Sequence, residues 1–144
     1  MPKFKLPQKC GWFYVIQLAH NGVWGFGITL NIESRLRKGY CNPSASTQVF
    51  CHLYYGNFNQ IVALERHIKN QMKDKMLVLF SERLEWFDTK FNIDGKQITD
   101  FVDARCVARY PEIYRVKAQY LPFSPYNIFK NIKGEPEKFL ELIP

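Results

Sequence analysis

A phenol, a guanidinium and a carboxylate stand at Tyr14, Arg35 and Glu65, each in a local pattern that calls for a reason. Tyr14 lies in WFYVIQLA, a run of aromatic and β-branched residues that reads as a strand. The WGFGIT segment that follows carries two bare glycines, Gly25 and Gly27. Glycine weakens a strand, and close approach by a ligand or another backbone is a usual reason to keep it there. Room for a tightly packed helix is the structural alternative. Arg35 sits at the border of the apolar face of NIESRLRK, where an arginine caps a groove. Glu65 falls in the middle of the apolar stripe of IVALERHI. An isolated buried charge is very costly, so this carboxylate must be paired, protonated or bound to a metal. Ion pairing, with Arg35 for instance, is the structural alternative to a metal.

The elements that must hold these residues can be read in order. Asn21-Gly22 suits both central positions of a type I′ turn and predicts a tight hairpin of strands 12–20 and 23–29. That turn sets His20 opposite Val23, Leu18 opposite Gly25, Ile16 opposite Gly27 and Tyr14 opposite Thr29. Asn31 is a good N-cap and Gly39 a helix stop, giving a short helix over 32–38 with Ile32 and Leu36 inward and Arg37 and Lys38 outward. Residues 48–55 form a third strand candidate. The longest helix is predicted from Asn57 to Met76, with Ile61, Leu64, Ile68, Met72 and Met76 as its stripe. Beyond residue 80, SERLEWF reads as a short strand or turn, and KQITDFVDARCVARY as an amphipathic segment that is only loosely periodic through Ile98, Phe101, Val102, Arg105 and Val107. The tail YLPFSPYNIF is aromatic and broken by proline.

With 144 residues, one core is the expectation. Of the formal net charge of +7, all the excess lies in the first 80 residues: 1–40 carry six Lys/Arg against one acid, 41–80 four against two, and 81–144 ten against ten. A basic half joined to a neutral half suggests a surface for a polyanion, most simply a nucleic-acid backbone. The four cysteines, Cys10, Cys41, Cys51 and Cys106, have no CxxC spacing, so reduced thiols are expected. A zinc site at Cys41, Cys51 and His52 is disfavoured, because adjacent Cys-His on a strand point to opposite faces. No apolar run long enough for a membrane and no charged-then-apolar leader is present, and a cytoplasmic location is expected.

In order and spacing, Trp12-Phe13-Tyr14, Gly25-Phe26-Gly27, NIESRL with Arg35, ALERHI with Glu65 and the EWF at residues 85–87 resemble the motifs of the GIY-YIG nuclease superfamily, most closely a phage-associated branch. The resemblance spans roughly residues 11–87. It implies an α/β (α+β) fold, a small three-stranded antiparallel sheet flanked by helices, in residues 1–90, with 91–144 a C-terminal extension packed on or beside that core. It implies hydrolysis of DNA phosphodiester bonds, with double-stranded DNA as partner, and one divalent metal, Mg²⁺ or Mn²⁺. Glu65 would bind that metal. Arg35 would hold the scissile phosphate and stabilise charge on its oxygens. Tyr14 would orient or deprotonate the attacking water. Tyr40 stands near a further catalytic position, with His20, His52 and Tyr54 as weaker substitutes, and the expected nucleic-acid contacts are Arg35, Arg37, Lys38, Lys69 and Lys73.

The chain departs from the pattern at Gly25, where the founding motif has its second tyrosine and where glycine supplies no proton chemistry. Two other readings follow. One is a nuclease fold without turnover that holds nucleic acid; the other is a phage factor that binds a host protein through an aromatic surface including Trp12, Trp24 and Trp86.

Overall fold

The computed structural model describes residues 4, 6–18, 24–32, 49–72, 76–79, 82–87, 95–117 and 136–143. In chain order these form β1 (Cys10–Leu18), β2 (Trp24–Thr29), β3 (Val49–Asn57), α1 (Phe58–Met72), β4 (Met76–Leu79), β5 (Glu82–Phe87), α2 (Gly95–Arg109), β6 (Ile113–Val116), a 3₁₀ turn (Pro136–Phe139) and β7 (Leu140–Glu141). The fold is α+β. The sheet is wider than the three strands expected: its order is β4-β5-β2-β1-β3-β6-β7, and each pairing is antiparallel. The expected strands β2-β1-β3 form its centre. The EWF segment adds β5 on one side, and residues 113–116 and 140–141 add β6 and β7 on the other.

The hairpin register differs from the one expected. Tyr14 pairs with Gly27 and Ile16 with Gly25, two residues from the predicted alignment. A shift of two preserves the faces, so Tyr14 still shares a face with both glycines. The steric reason is local. A Cβ on Gly27 would lie 2.6 Å from Tyr14 Cζ, so only glycine accommodates the ring at that position. The Asn21-Gly22 turn lies outside the described residues.

Alternation along β1 divides the core. Phe13 and Val15 join Phe26, Tyr54, Ile61, Leu64, Ile68, Val102, Cys106 and Ile113 in one buried cluster, which places α1 and α2 over that face. Phe58, the first residue of α1, lies against Gly11 on the same face. Trp12, Tyr14 and Leu53 project from the other face and are buried there, with the Trp12 and Tyr55 rings 4.6 Å apart.

Asn57 ends β3 and caps α1. Its Oδ1 accepts from the Asn59 and Gln60 amides at 2.9 and 3.3 Å, and its Nδ2 donates to Glu112 Oε2 at 2.6 Å. The described helix reaches Met72, and Met76, the predicted end, belongs to β4 instead. Among the described side chains of α2, Thr99, Val102 and Cys106 are buried, whereas Val107 is exposed. Of the apolar residues in that segment, Val102 and Phe101 therefore pack toward the sheet and Val107 does not.

Candidate functional site

Tyr14 is 1% exposed and its ring rests on Gly27, at the centre of β1. It projects from the face opposite the one that α1 covers. Glu65 rides on α1 at the flank of the stripe formed by Ile61, Leu64 and Ile68, and its side chain is 16% exposed. One turn along, Lys69 Nζ stands 3.4 Å from Glu65 Oε1, so this carboxylate has a cationic partner within its own helix. Tyr14 and the helix that carries Glu65 thus lie on opposite faces of the sheet. Arg35, Arg37, Lys38, Tyr40 and Lys73 lie outside the described residues, as does His20. Ile32, the first residue of the expected arginine helix, is helical and buried.

Gly25 lies inside the sheet. It pairs with Ile16 on one side and with Trp86, from the EWF segment, on the other. The second-motif position is therefore a backbone position held between two strands.

The donor type of Glu65 suits a hard divalent cation, which takes carboxylate and water and needs few protein ligands. Its Lys69 partner would have to move aside for such a cation. Among the described residues, no group of three or more His, Cys, Asp and Glu side chains converges on a point.

A second polar constellation joins α2 to the sheet, and sequence reasoning did not find it as a unit. The Tyr54 hydroxyl donates to Asp103 Oδ1 at 2.7 Å, and Arg115 Nη1 donates to Asp103 Oδ2 at 2.8 Å. Arg115 Nε donates to Glu141 Oε1 at 2.9 Å, which ties β6 to β7 through side chains as well as backbone. Burial, then the Asp103 charge and hydrogen bond, push the Tyr54 phenol well above its ordinary value. Burial and Asp103 push the Cys106 thiol up to about 12. Burial lowers the His52 imidazole, with Asp103 opposing and Arg115 reinforcing that shift. A phenol that resists ionisation and a protonated thiol are poor bases and nucleophiles at neutral pH. The constellation fastens elements together. Its one sequence signal was the presence of Tyr54 and His52 on a single strand; Asp103 and Arg115 carried none, because the contacts span tens of residues.

Comparison with known protein families, curated proteins and solved structures yields no match for this chain.

Proposed function

We propose that the chain acts on DNA as a metal-dependent endonuclease of the GIY-YIG type. The observation that carries this reading is Glu65. A carboxylate is kept partly buried beside an apolar stripe, on the helix directly after β3, and follows a hairpin whose tyrosine rests on a glycine. That is the chain order in which the resemblance requires these groups. On this reading Glu65 holds the cation, which supplies Lewis-acid stabilisation and an activated water when bound. Arg35 holds the phosphate, and its guanidinium offsets charge on the phosphate oxygens. Lys69, which pairs with Glu65 at 3.4 Å, would be available to contact the DNA backbone if Glu65 held a cation.

The test is cleavage of supercoiled plasmid with Mg²⁺ or Mn²⁺ beside an EDTA control. Metal-dependent nicking or linearisation that Glu65→Ala and Arg35→Ala abolish, with circular dichroism unchanged, is the expected result. Cleavage at the parental rate in either variant overturns the assignment. Tyr14→Phe isolates one role, since it keeps the ring on Gly27 and removes only the hydroxyl. Loss of cleavage assigns that hydroxyl to the chemistry, and full cleavage leaves Tyr14 as packing.

A second reading is a nuclease-like fold that binds nucleic acid without turnover. It is favoured by the face from which Tyr14 projects and by Gly25 at the second motif. It predicts steeply salt-dependent DNA affinity with no metal-dependent product, because neutralised phosphates release counterions.

A further inference from the structure

Two side-chain stripes meet where α1 and α2 run beside each other, away from Tyr14 and Glu65. On α2, Phe101, Arg105 and Arg109 repeat every fourth residue and so share a side of the helix. On α1, His67 and Gln71 do the same. The Arg105 guanidinium lies 3.8 Å from the centroid of the Phe101 ring, and its Nε and Nη2 donate to Gln71 Oε1 at 3.3 and 3.1 Å. Those two contacts hold the guanidinium plane while using only part of its set of five N–H donors. Arg109, exposed in the last turn of α2, adds a second guanidinium. Besides burial, the charges of Arg109 and Arg105 depress the His67 imidazole, so all three basic groups lie within electrostatic reach of one another. Among the described residues, no carboxylate pairs with Arg105 or Arg109.

The arginine that joins β6 to α2 is treated differently. Arg115 is neutralised by Asp103 and Glu141, at 2.8 and 2.9 Å. The Arg105 and Arg109 pair on α2 is left as concentrated positive charge, with Arg105 fixed in place by an aromatic ring and an amide. A planar, oriented guanidinium favours bidentate contact with phosphate oxygens, and fixing it in advance removes part of the entropy lost on binding.

We propose that Arg105 and Arg109, with Gln71 and Phe101 positioning Arg105, form a contact site for the phosphate backbone of double-stranded DNA. Both guanidiniums lie on the helical layer, in the half of the chain whose charges balance overall. The proposal rests on the reading of the chain as a DNA-acting protein and adds a surface that the nuclease motifs do not include. It makes the bound duplex reach across α1 as well as the basic N-terminal half.

The experiment measures binding of the full chain to a fluorescent double-stranded oligonucleotide across a series of salt concentrations, for the parent, Arg105→Gln/Arg109→Gln and Gln71→Ala proteins. Circular dichroism and thermal unfolding serve as fold controls. The double variant is expected to lose about tenfold or more in affinity at low salt. Its slope of log K against log salt should fall by about 0.9 for each phosphate contact removed. Gln71→Ala, which retains both charges but releases Arg105, should lose affinity by a smaller factor with little change in slope. Unchanged affinity and slope in the double variant overturn the site while leaving the wider reading intact. Failure of the parent protein to bind duplex DNA at low salt overturns both.

Discussion

The Tyr54 hydroxyl and the Asp103 carboxylate, 49 residues apart in the chain, are joined by a 2.7 Å hydrogen bond that fixes α2 to the centre of the sheet. Asp103 serves Arg115 with its other oxygen, at 2.8 Å, so one carboxylate holds β3, α2 and β6 together. Removing it leaves a buried phenol and a half-buried guanidinium each short of a partner. Asp103→Ala is expected to lower the unfolding free energy by about 2–4 kcal/mol. Asp103→Asn, which still accepts from Tyr54, should lose less. Urea denaturation followed by tryptophan fluorescence orders the two variants, and equal losses would assign the effect to charge alone.

The contact of Tyr14 with Gly27 makes a paired prediction. A methyl group on Gly27 meets the phenol ring, and overpacking of this kind destabilises by about 1–3 kcal/mol. Gly27→Ala alone should therefore be costly. In a Tyr14→Ala background the same substitution has space, so its effect should shrink to the few tenths expected of a strand glycine replaced by alanine. Additive losses in the double-mutant cycle would refute the contact.

His52 gives the pH response a sign. Its neutral form is favoured in the fold, chiefly by burial, with Arg115 reinforcing and Asp103 opposing. The unfolded chain therefore takes up a proton before the folded protein does as pH falls below about 6.5. Stability is full above that value and declines between it and the lower folded-state value, by at most about 1.4 kcal/mol per pH unit for one group. His67 contributes in the same direction. Chemical denaturation from pH 7.5 to 5 should show this decline, and His52→Gln should flatten it. An unchanged slope in that variant would remove His52 as its source.

Cys106 is 1% exposed, and its thiol is raised to about 12. Iodoacetamide at pH 8 should leave Cys106 unmodified in the native protein and modify it after unfolding in urea, as read by peptide mass mapping. Rapid native labelling would show that α2 opens readily from the sheet.

Much of the central architecture was legible in local sequence because local rules determine it. Aromatic and β-branched runs mark β1 and β3, Asn57 caps α1, and the stripe through Ile61, Leu64 and Ile68 buries as its spacing requires. The register was not legible from the turn residues. It follows instead from a ring that fits only over glycine, which is a contact between strands. The helix around residue 102 was weakly legible because its buried side includes Thr99 and Cys106, while its apolar Val107 faces outward. Of the candidate site, Glu65 was identifiable from its place in an apolar stripe. Among the described residues it pairs with Lys69, one turn along the same helix, a pairing that spacing alone permits. The polar group around Asp103 was invisible because no local pattern links a tyrosine, an aspartate and an arginine brought together only by folding.

The sheet order also bears on how the polypeptide is made. Of the described strands, the first in chain order is central, its neighbours β2 and β3 follow, and later segments add to the flanks: β5 beside β2 and β6 beside β3. A nascent chain ending after α1 would already contain β1, β2 and β3, but two rows of backbone donors and acceptors would remain open at once. Synthesis of the segments that follow α1 is then a race between closure of both flanks and capture of either by another chain. Ribosome-stalled chains of increasing length should lose their tendency to associate in two steps, one for each flank.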